Sequence, residues 1–495
     1  MLKVLFVAAE ADPFAKAGGL GDVVGSLPRA LRRIGIDARV LMPHYGTINS
    51  AAFGLTHLFQ YQEARVVGVA DVFVSKTVLR EVPFYFLRSW PFFDQPYHYT
   101  DFDWDIQRFI FFSQAAMGAI WQLANGADHE AGEWWPDVVH VHDWHTGLLP
   151  FLIYLSRFEP GWNQTASVMS IHNMGYQGKM AGAFLDQVHI PPREHPVLTS
   201  INRQGDLLPI GIAYADKINT VSPNHAVEMH YPRFGEGLEP LIWARDHDFS
   251  GVLNGIDMEH FDPATDPALF HNFDADNFRT ERIQNKRALQ ELLNLDVRDD
   301  VPLIGVVSRL VGQKGIDLLA AALRSICADT DVQIVSLGTG EPDLEHALWG
   351  IGHDFWWKAR THTYFDPILA QRIYAGSDII MMPSRYEPCG MAQMIAQRYG
   401  ALPLVRETGG LVDTVDNYDN GPADVGTGFT FLWEAPDAIV GTLRWAVDTY
   451  RHRPHAWQRM QERAMRIDWS WAQSAQRYAE LYQAAINKKR AWMEA

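Results

Sequence analysis

The sequence predicts an α/β protein of two related, doubly wound domains, and three observations predict it. Short apolar runs of strand length recur, each followed by a helical period, in both halves of the 495-residue chain. Glycine turns of similar wording appear once per half, AGGLGDVV at Ala17 to Val24 and TGGLVDTV at Thr408 to Val415. Between them Ser250 to Pro263, SGVLNGIDMEHFDP, shifts to Gly, Asn, Asp and Pro, the composition of a domain boundary. A chain of 495 residues with 47% hydrophobic content exceeds one core and is expected to form roughly two or three domains.

Leu2 to Ala8 is a continuous apolar run, as a central parallel strand requires. The run is short and ends in Glu10 and Asp12, so it reads as a first strand and not as a targeting or membrane segment. KAGGLGDVVGSLPRALRRIG then supplies a glycine turn and a helix. Gly18 and Gly19 let the backbone approach a ligand closely and Lys16 adds a positive charge, which favours phosphate contact over an ordinary helix start with a solvated lysine. The spacing is neither the dinucleotide fingerprint nor a P-loop, which argues against NAD and ATP.

Further strands are predicted at Ala38 to Met42, Pro83 to Leu87, Asp137 to Val141, Ser167 to Ile171 and Lys217 to Val221. Polar residues gather at their ends: DVVHVHDW puts His142 and Asp143 just past one strand, and VMSIHN does the same for His172 and Asn173. Two histidines near carboxylates suggest a metal, but the spacing is not that of a zinc motif and no third ligand is evident, so no metal site is expected. A lone strand-end histidine is ordinarily structural. Two such ends in one sheet converge on one crevice, which raises the functional reading beside it.

The stretch Phe84 to Phe112 is rich in aromatic residues. From Trp104 it takes a helical period with Phe109, Phe112 and Ala116 on one face, a core face. The loop Trp90 to Tyr99 reads first as core or lid packing and second as rings offered to a sugar.

After the boundary, Pro302 to Val307 is a strand and SRLVGQKGIDLLAAAL a turn and helix, with Arg309 and Lys314 at the helix's amino end as an anion site. Gln333 to Gly338, Asp378 to Pro383 and Leu402 to Arg406 continue the alternation. Met381 to Ala392, MMPSRYEPCGMA, places Glu387 at a strand's carboxyl end before a helix expected to begin at Gly390. Glu387 is there either as part of a sugar or phosphate site or as a carboxylate that caps the helix. From Trp469 an amphipathic helix carries Trp471, Ala475, Tyr478 and Tyr482 on one face, which needs a surface to dock on.

A net charge of -17 argues against nucleic acid as a partner. Two cysteines, Cys327 and Cys389, make no disulfide framework and suit a reducing cytosol.

With these residues assembled, the chain closely resembles the bacterial and plant glycogen (starch) synthase family over nearly its whole length. The carriers are KAGGL at Lys16 to Leu20, HDWHTGL at His142 to Leu148, HNMGYQG at His172 to Gly178, LNGID at Leu253 to Asp257, VVSRLVGQKG at Val306 to Gly315, PSRYEPCGM at Pro383 to Met391 and TGGLVDTV. Each is weak singly; all of them in order are specific. The resemblance implies a GT-B fold of two Rossmann-like domains about a cleft: an acceptor domain over residues 1–252, a donor domain over 253–465, and a terminal helix, 466–495, packing back on the first. It implies transfer of glucose from ADP-glucose, or UDP-glucose, to an α-1,4-glucan with retention, without cofactor or metal, in the cytoplasm and away from membranes.

The same resemblance assigns roles. Arg309 and Lys314 would hold the donor diphosphate, with Lys16, Gly18 and Gly19 reaching it from the first domain. Glu387, Cys389, Gly390 and Met391 would hold the donor glucose, while Asp143, His172, Asn173 and Asn254 would line the sugar and acceptor side. Tyr97 matches an acceptor-binding aromatic and Phe365 a position that stacks on the base. Departure and attack on the same face, assisted by the leaving phosphate, is the preferred route; Asp143 as nucleophile is its competitor. Ala17, Pro209, Met391 and Ala392 depart from the family's usual residues, which bears on donor affinity and nucleotide choice. Two alternatives stand beside this reading. A small-acceptor GT-B transferase is disfavoured by Ile395, where many such enzymes carry a second Glu, and an inactive glucan-binding protein is disfavoured by the retained Lys16, Arg309, Lys314 and Glu387.

Overall fold

The computed structural model describes residues 1–65, 68–419, 421–422 and 424–494. The chain forms two compact units, Met1–Asn254 with Trp471–Ala495, and Gly255–Ser470. The division falls inside the Gly, Asn and Asp-rich stretch at 250–263.

In the first unit the strands are β1 (Lys3–Val7), β2 (Asp37–Pro43), β3 (Thr56–Ala64), β4 (Val69–Leu79), β5 (Val82–Arg88), β6 (Val138–His142), β7 (Ala166–Ile171), β8 (Lys217–Thr220) and β9 (Phe249–Gly251). They form one sheet in the order β3-β4-β5-β2-β1-β6-β7-β8-β9. β1 is parallel to both β2 and β6, and its residues from Val4 onward are buried, because helices cover a central parallel strand on both faces. β3 and β4 pair antiparallel, and β4 with β5 likewise, as an extension at one end of the sheet. These two strands escaped the sequence reading. β4 alternates exposed and buried residues along most of its length, so its apolar content is diluted by Asp, Ser, Lys and Thr.

The helix Gly19–Arg33 follows β1 directly and buries Leu20, Val23, Val24, Leu27 and Leu31. Asp22 in its first turn and Arg32 and Arg33 in its last complement the helix dipole. The helix Trp471–Glu494 packs on Gly19–Arg33 and on β6, β7 and β8, and buries Trp471, Ala475, Tyr478 and Tyr482. Polar bonds fix that docking. Tyr482 Oη lies 2.9 Å from His140 Nδ1, and Asn219 Nδ2 donates to Tyr478 Oη at 3.1 Å.

The second unit holds β10 (Leu303–Val307), β11 (Gln333–Leu337), β12 (Ala359–His362), β13 (Ile379–Met382), β14 (Leu402–Arg406) and β15 (Phe429–Phe431). The order is β12-β11-β10-β13-β14-β15 and every pairing is parallel. Counted within the unit this is the doubly wound order 3-2-1-4-5-6. β12 and β15, four and three residues long, were too short to leave a period in the sequence.

Strand order reverses direction between β1 and β6 in the first sheet and between β10 and β13 in the second. At such a switch the helices after the two strands go to opposite faces and leave a crevice at the carboxyl ends. Lys16 follows β1, Asp143 follows β6, Arg309 and Lys314 follow β10, and Glu387 follows β13.

Candidate functional site

In the first unit the turn after β1 is organised by a carboxylate. Glu10 Oε2 accepts from the backbone N–H of Ala17 at 2.8 Å and of Gly18 at 3.1 Å, which fixes the turn where Lys16 sits. The Gly18 amide is thus taken up by Glu10. What the glycines do provide is room. A side chain at Gly18 or Gly19 would meet no protein atom, so the space over them is open. Lys16 pairs with Asp22 at 2.5 Å and is not simply solvated.

After β6 the backbone turns sharply at Asp143, whose φ of 53° lies in the left-handed region. The turn is held by the side chain: Asp143 Oδ1 accepts from the backbone N–H of His172 at 2.7 Å and of Asn173 at 3.3 Å, joining the ends of β6 and β7. Burial pushes the Asp143 carboxyl up to about 7 against the lowering by those two amides, with Glu10 adding a smaller upward push. His142, expected beyond the strand, is its last residue and fully buried, stacked on Phe6 and 3.0 Å through Nδ1 from His172 Nε2. Desolvation lowers His172 to about 3, so it is a neutral ring with Nε2 engaged. Asn173 uses Oδ1 to accept from the backbone N–H of Gly175 at 3.0 Å. Asn254, only 6% exposed, keeps a buried Oδ1 with no partner among the described residues. Tyr97 is 61% exposed on the loop between β5 and the helix Phe102–Ala124, and Trp90 near its start is exposed as well, while Phe92 and Phe93 between them are buried; the loop thus joins both readings, core packing in its middle and free rings on either side.

In the second unit Lys314 and Glu387 meet. Lys314 Nζ lies 2.5 Å from Glu387 Oε2, and Ser384 Oγ donates to the same oxygen at 3.0 Å. Lys314 closes a 3-10 turn, Gly312–Lys314, ahead of the helix Ile316–Asp329. Gly315 then turns left-handed, with φ 66°, where a side chain would strike the Pro383 carbonyl. Arg309, exposed, forms no ion pair among the described residues. Arg385 braces the two loops by donating to Gly312 O at 2.6 Å, to both Asp317 oxygens at 2.7 Å and to Glu434 at 2.8 Å.

The loop after β13 differs from the expected helix start. The helix is Ala392–Arg398, Met391 is its N-cap position, and Gly390 lies before it at φ 74°. The helix thus starts two residues later than expected, and ahead of it stands a tight glycine turn around Glu387 and buried Cys389. Behind that turn stand Gly409 and Gly410. The Gly410 N–H donates to Glu387 O at 3.0 Å, and a side chain on Gly409 would collide with the same carbonyl, one on Gly410 with that of Cys389. The two similar glycine turns therefore do different work, one leaving open space and one receiving a loop. Phe365 projects from the segment between β12 and the helix Pro367–Gly376, 86% exposed.

Sequence reasoning missed Glu10, Tyr99, Ser384 and Arg385. The last two stand inside the quoted string PSRYEPCGM, whereas Glu10 and Tyr99 carry no local signal because they are joined only by folding.

Residues 3–244 match the family described as Starch synthase catalytic domain, and residues 301–445 match Glycosyl transferases group 1. The chain is 40% identical to a glycogen synthase of Streptococcus sanguinis (strain SK36), with 98% of this chain and 100% of that protein covered. It is also 40% identical to a glycogen synthase of Moorella thermoacetica (strain ATCC 39073 / JCM 9320), covering 99% of this chain and 98% of the other. Among solved structures, the catalytic domain of Starch Synthase IV from Arabidopsis thaliana, bound to ADP and acarbose, is similar with a TM-score of 0.86 and 32% identity over 98% of this chain and 99% of that one. A sucrose-phosphate synthase from Thermosynechococcus elongatus, 16% identical with a TM-score of 0.60 over 98% of both chains, shares the fold.

Proposed function

The chain belongs to the glycogen and starch synthase family, and from that premise we propose that it moves glucose from ADP-glucose to the non-reducing end of an α-1,4-glucan with retention of configuration. It is a glycosyltransferase of GT-B fold. The donor nucleotide, the residue roles and a cytoplasmic location are the parts proposed here. Two buried free cysteines are in keeping with that location.

The observation that carries the reading is the pairing of Lys314 with Glu387 at 2.5 Å, at the switch point of the second sheet, where the exposed Arg309 also follows β10. As the bond from the anomeric carbon to the diphosphate breaks, negative charge grows on the leaving oxygen. Cations already in position stabilise that charge without reorganising. Arg309 carries the larger share, because the Lys314 ammonium is already neutralised by a carboxylate. Glu387, held by Lys314 and Ser384, accepts hydrogen bonds from the donor sugar's hydroxyls, and Cys389 and Gly390 with Met391 shape the space around it. Lys16, Gly18 and Gly19 belong to the donor phosphates, with open room above the two glycines.

On the first sheet, Asn254 Oδ1 takes a sugar hydroxyl as its missing donor and neutral His172 uses Nδ1 for another. Asn173 and Asp143 complete that wall, and Tyr97 offers a ring to the glucan. With Asp143 raised to about 7, a large share of it is protonated at neutral pH, which favours attack assisted by the leaving phosphate over a carboxylate nucleophile. Transfer of radiolabelled glucose from ADP-glucose and from UDP-glucose onto glycogen tests the proposal. Polymer-bound label from ADP-glucose is expected, and incorporation from neither donor would defeat it.

A further inference from the structure

Glu10 lies just past β1, 4% exposed, and none of the roles above uses it. Its two oxygens are divided between two segments that are remote in sequence. Oε2 accepts from the backbone N–H groups of Ala17 and Gly18, at 2.8 and 3.1 Å, in the turn that carries Lys16. Oε1 accepts from the Tyr99 hydroxyl at 2.5 Å, in the loop that carries Tyr97. Tyr99 is itself fixed, its ring stacked on His145 with centroids 5.2 Å apart and planes at 29°. Desolvation holds that His145 ring neutral. A carboxylate is planar and rigid, so a shift of either segment is felt at the other through one buried group, where hydrogen bonds to a charge are strong.

We propose that Glu10 is a positioning residue that couples the two substrates: glucan ordering the Tyr97–Tyr99 loop steadies the Lys16 turn for the donor phosphates, and donor steadies the loop for glucan. The proposal rests on the functional reading just given, which assigns Lys16 to donor and Tyr97 to acceptor. Coupling of this kind is reciprocal, so each ligand tightens the other by the same factor. A tie that served stability alone would lower the melting temperature on removal and leave that factor untouched.

Tyr99→Phe separates the cases, because it keeps the ring and its stacking and deletes only the hydroxyl. ADP affinity is measured by calorimetry on the full chain, with and without saturating maltoheptaose. In the unsubstituted protein the oligosaccharide is expected to tighten ADP on the order of fivefold. In Tyr99→Phe the factor is expected to fall to about one, with ADP affinity in the absence of glucan changed by less than about twofold. Should Tyr99→Phe fail to fold, Tyr99→Leu makes the same comparison, since it too deletes the hydroxyl and leaves Glu10 its bonds to the Ala17 and Gly18 amides. An unchanged factor in either folded variant, or a factor of one in the unsubstituted protein, overturns the coupling and leaves the transferase reading intact. Failure of the unsubstituted protein to bind either ligand overturns the transferase reading and the coupling with it.

Discussion

Lys314 Nζ and Glu387 Oε2 stand 2.5 Å apart, an ion pair formed between the turn after β10 and the loop after β13. Both partners are largely buried, and each is braced again by Ser384 or by the backbone turn it ends. Their effects on turnover should therefore be linked. Glu387→Ala is expected to lower kcat by roughly a hundredfold, about 3 kcal/mol, with the melting temperature little changed. Lys314→Ala and the double variant complete a cycle in which the double loss falls short of the sum by about 1 kcal/mol or more. Strict additivity would mean that the pair does not act as a unit.

Arg309 differs from Lys314 in lacking a carboxylate partner among the described residues. Arg309→Ala should lower kcat by about a hundredfold and raise the donor KM less, because the charge it meets is largest as the phosphate departs. Steady-state kinetics with ADP-glucose checks this; a change confined to KM would assign Arg309 to ground-state binding alone.

Asp143 gives a pH signature. Its folded value of about 7 lies above the ordinary 3.8, so between those values the folded chain holds a proton that the unfolded chain has lost. The stability this lends is fully present below the ordinary value and is lost as pH rises through the folded one. The loss is on the order of 4 kcal/mol at most. Asp143→Asn cannot ionise, so its melting temperature should gain on that of the unsubstituted protein as pH is raised from about 5 to about 8. Parallel melting curves over that range would contradict the assignment.

Gly409 is a stability prediction with a functional consequence. Its φ of 47° and the Glu387 carbonyl against it leave no place for a side chain. Gly409→Ala should destabilise the chain by about 1–3 kcal/mol and, by moving the Glu387 loop, lower kcat by more than about tenfold. Gly18→Ala meets no atom and should melt near the unsubstituted temperature, while weakening donor binding. Equal melting losses in the two variants would refute the distinction between the turns.

Phe365 stands 86% exposed, and under the proposed function its ring stacks on the donor base. ADP-glucose should show the higher kcat/KM, and Phe365→Ala should raise KM for ADP-glucose and UDP-glucose by similar factors of about tenfold, since stacking is nearly blind to base identity. A variant that changes selectivity between the donors would show that Phe365 does more than stack.

The strands that build the switch points were legible because central parallel strands are apolar throughout, as Val4 to Val7 and Ile379 to Met382 are. Lys16, Arg309, Lys314 and Glu387 were legible for the related reason that polar residues cluster where such strands stop. β3 and β4 were hidden by their solvated face. The Glu10 to Tyr99 bond was hidden by distance in sequence, since neither residue carries a local period or motif. The likeness of AGGLGDVV and TGGLVDTV pointed to two related domains but carried nothing about role: wording alone does not tell whether a glycine is small for open space or for a neighbouring backbone, and only the atoms around Gly18 and Gly409 do.

The docking of Trp471–Glu494 on the first sheet fixes an order of events at the ribosome. His140 and Asn219 lie in β6 and β8, yet their partners Tyr482 and Tyr478 are translated only after the whole of Gly255–Ser470. Until then the face of β6 to β8 that receives the helix stays open to water, which stands in for Tyr482 at His140 Nδ1, while Asn219 Nδ2 keeps the Thr220 carbonyl at 3.2 Å. What the nascent unit lacks is the burial of its apolar surface. Gly255–Ser470 is contiguous and can close on itself as soon as it emerges, so the half of the chain made second is the half that can be finished first.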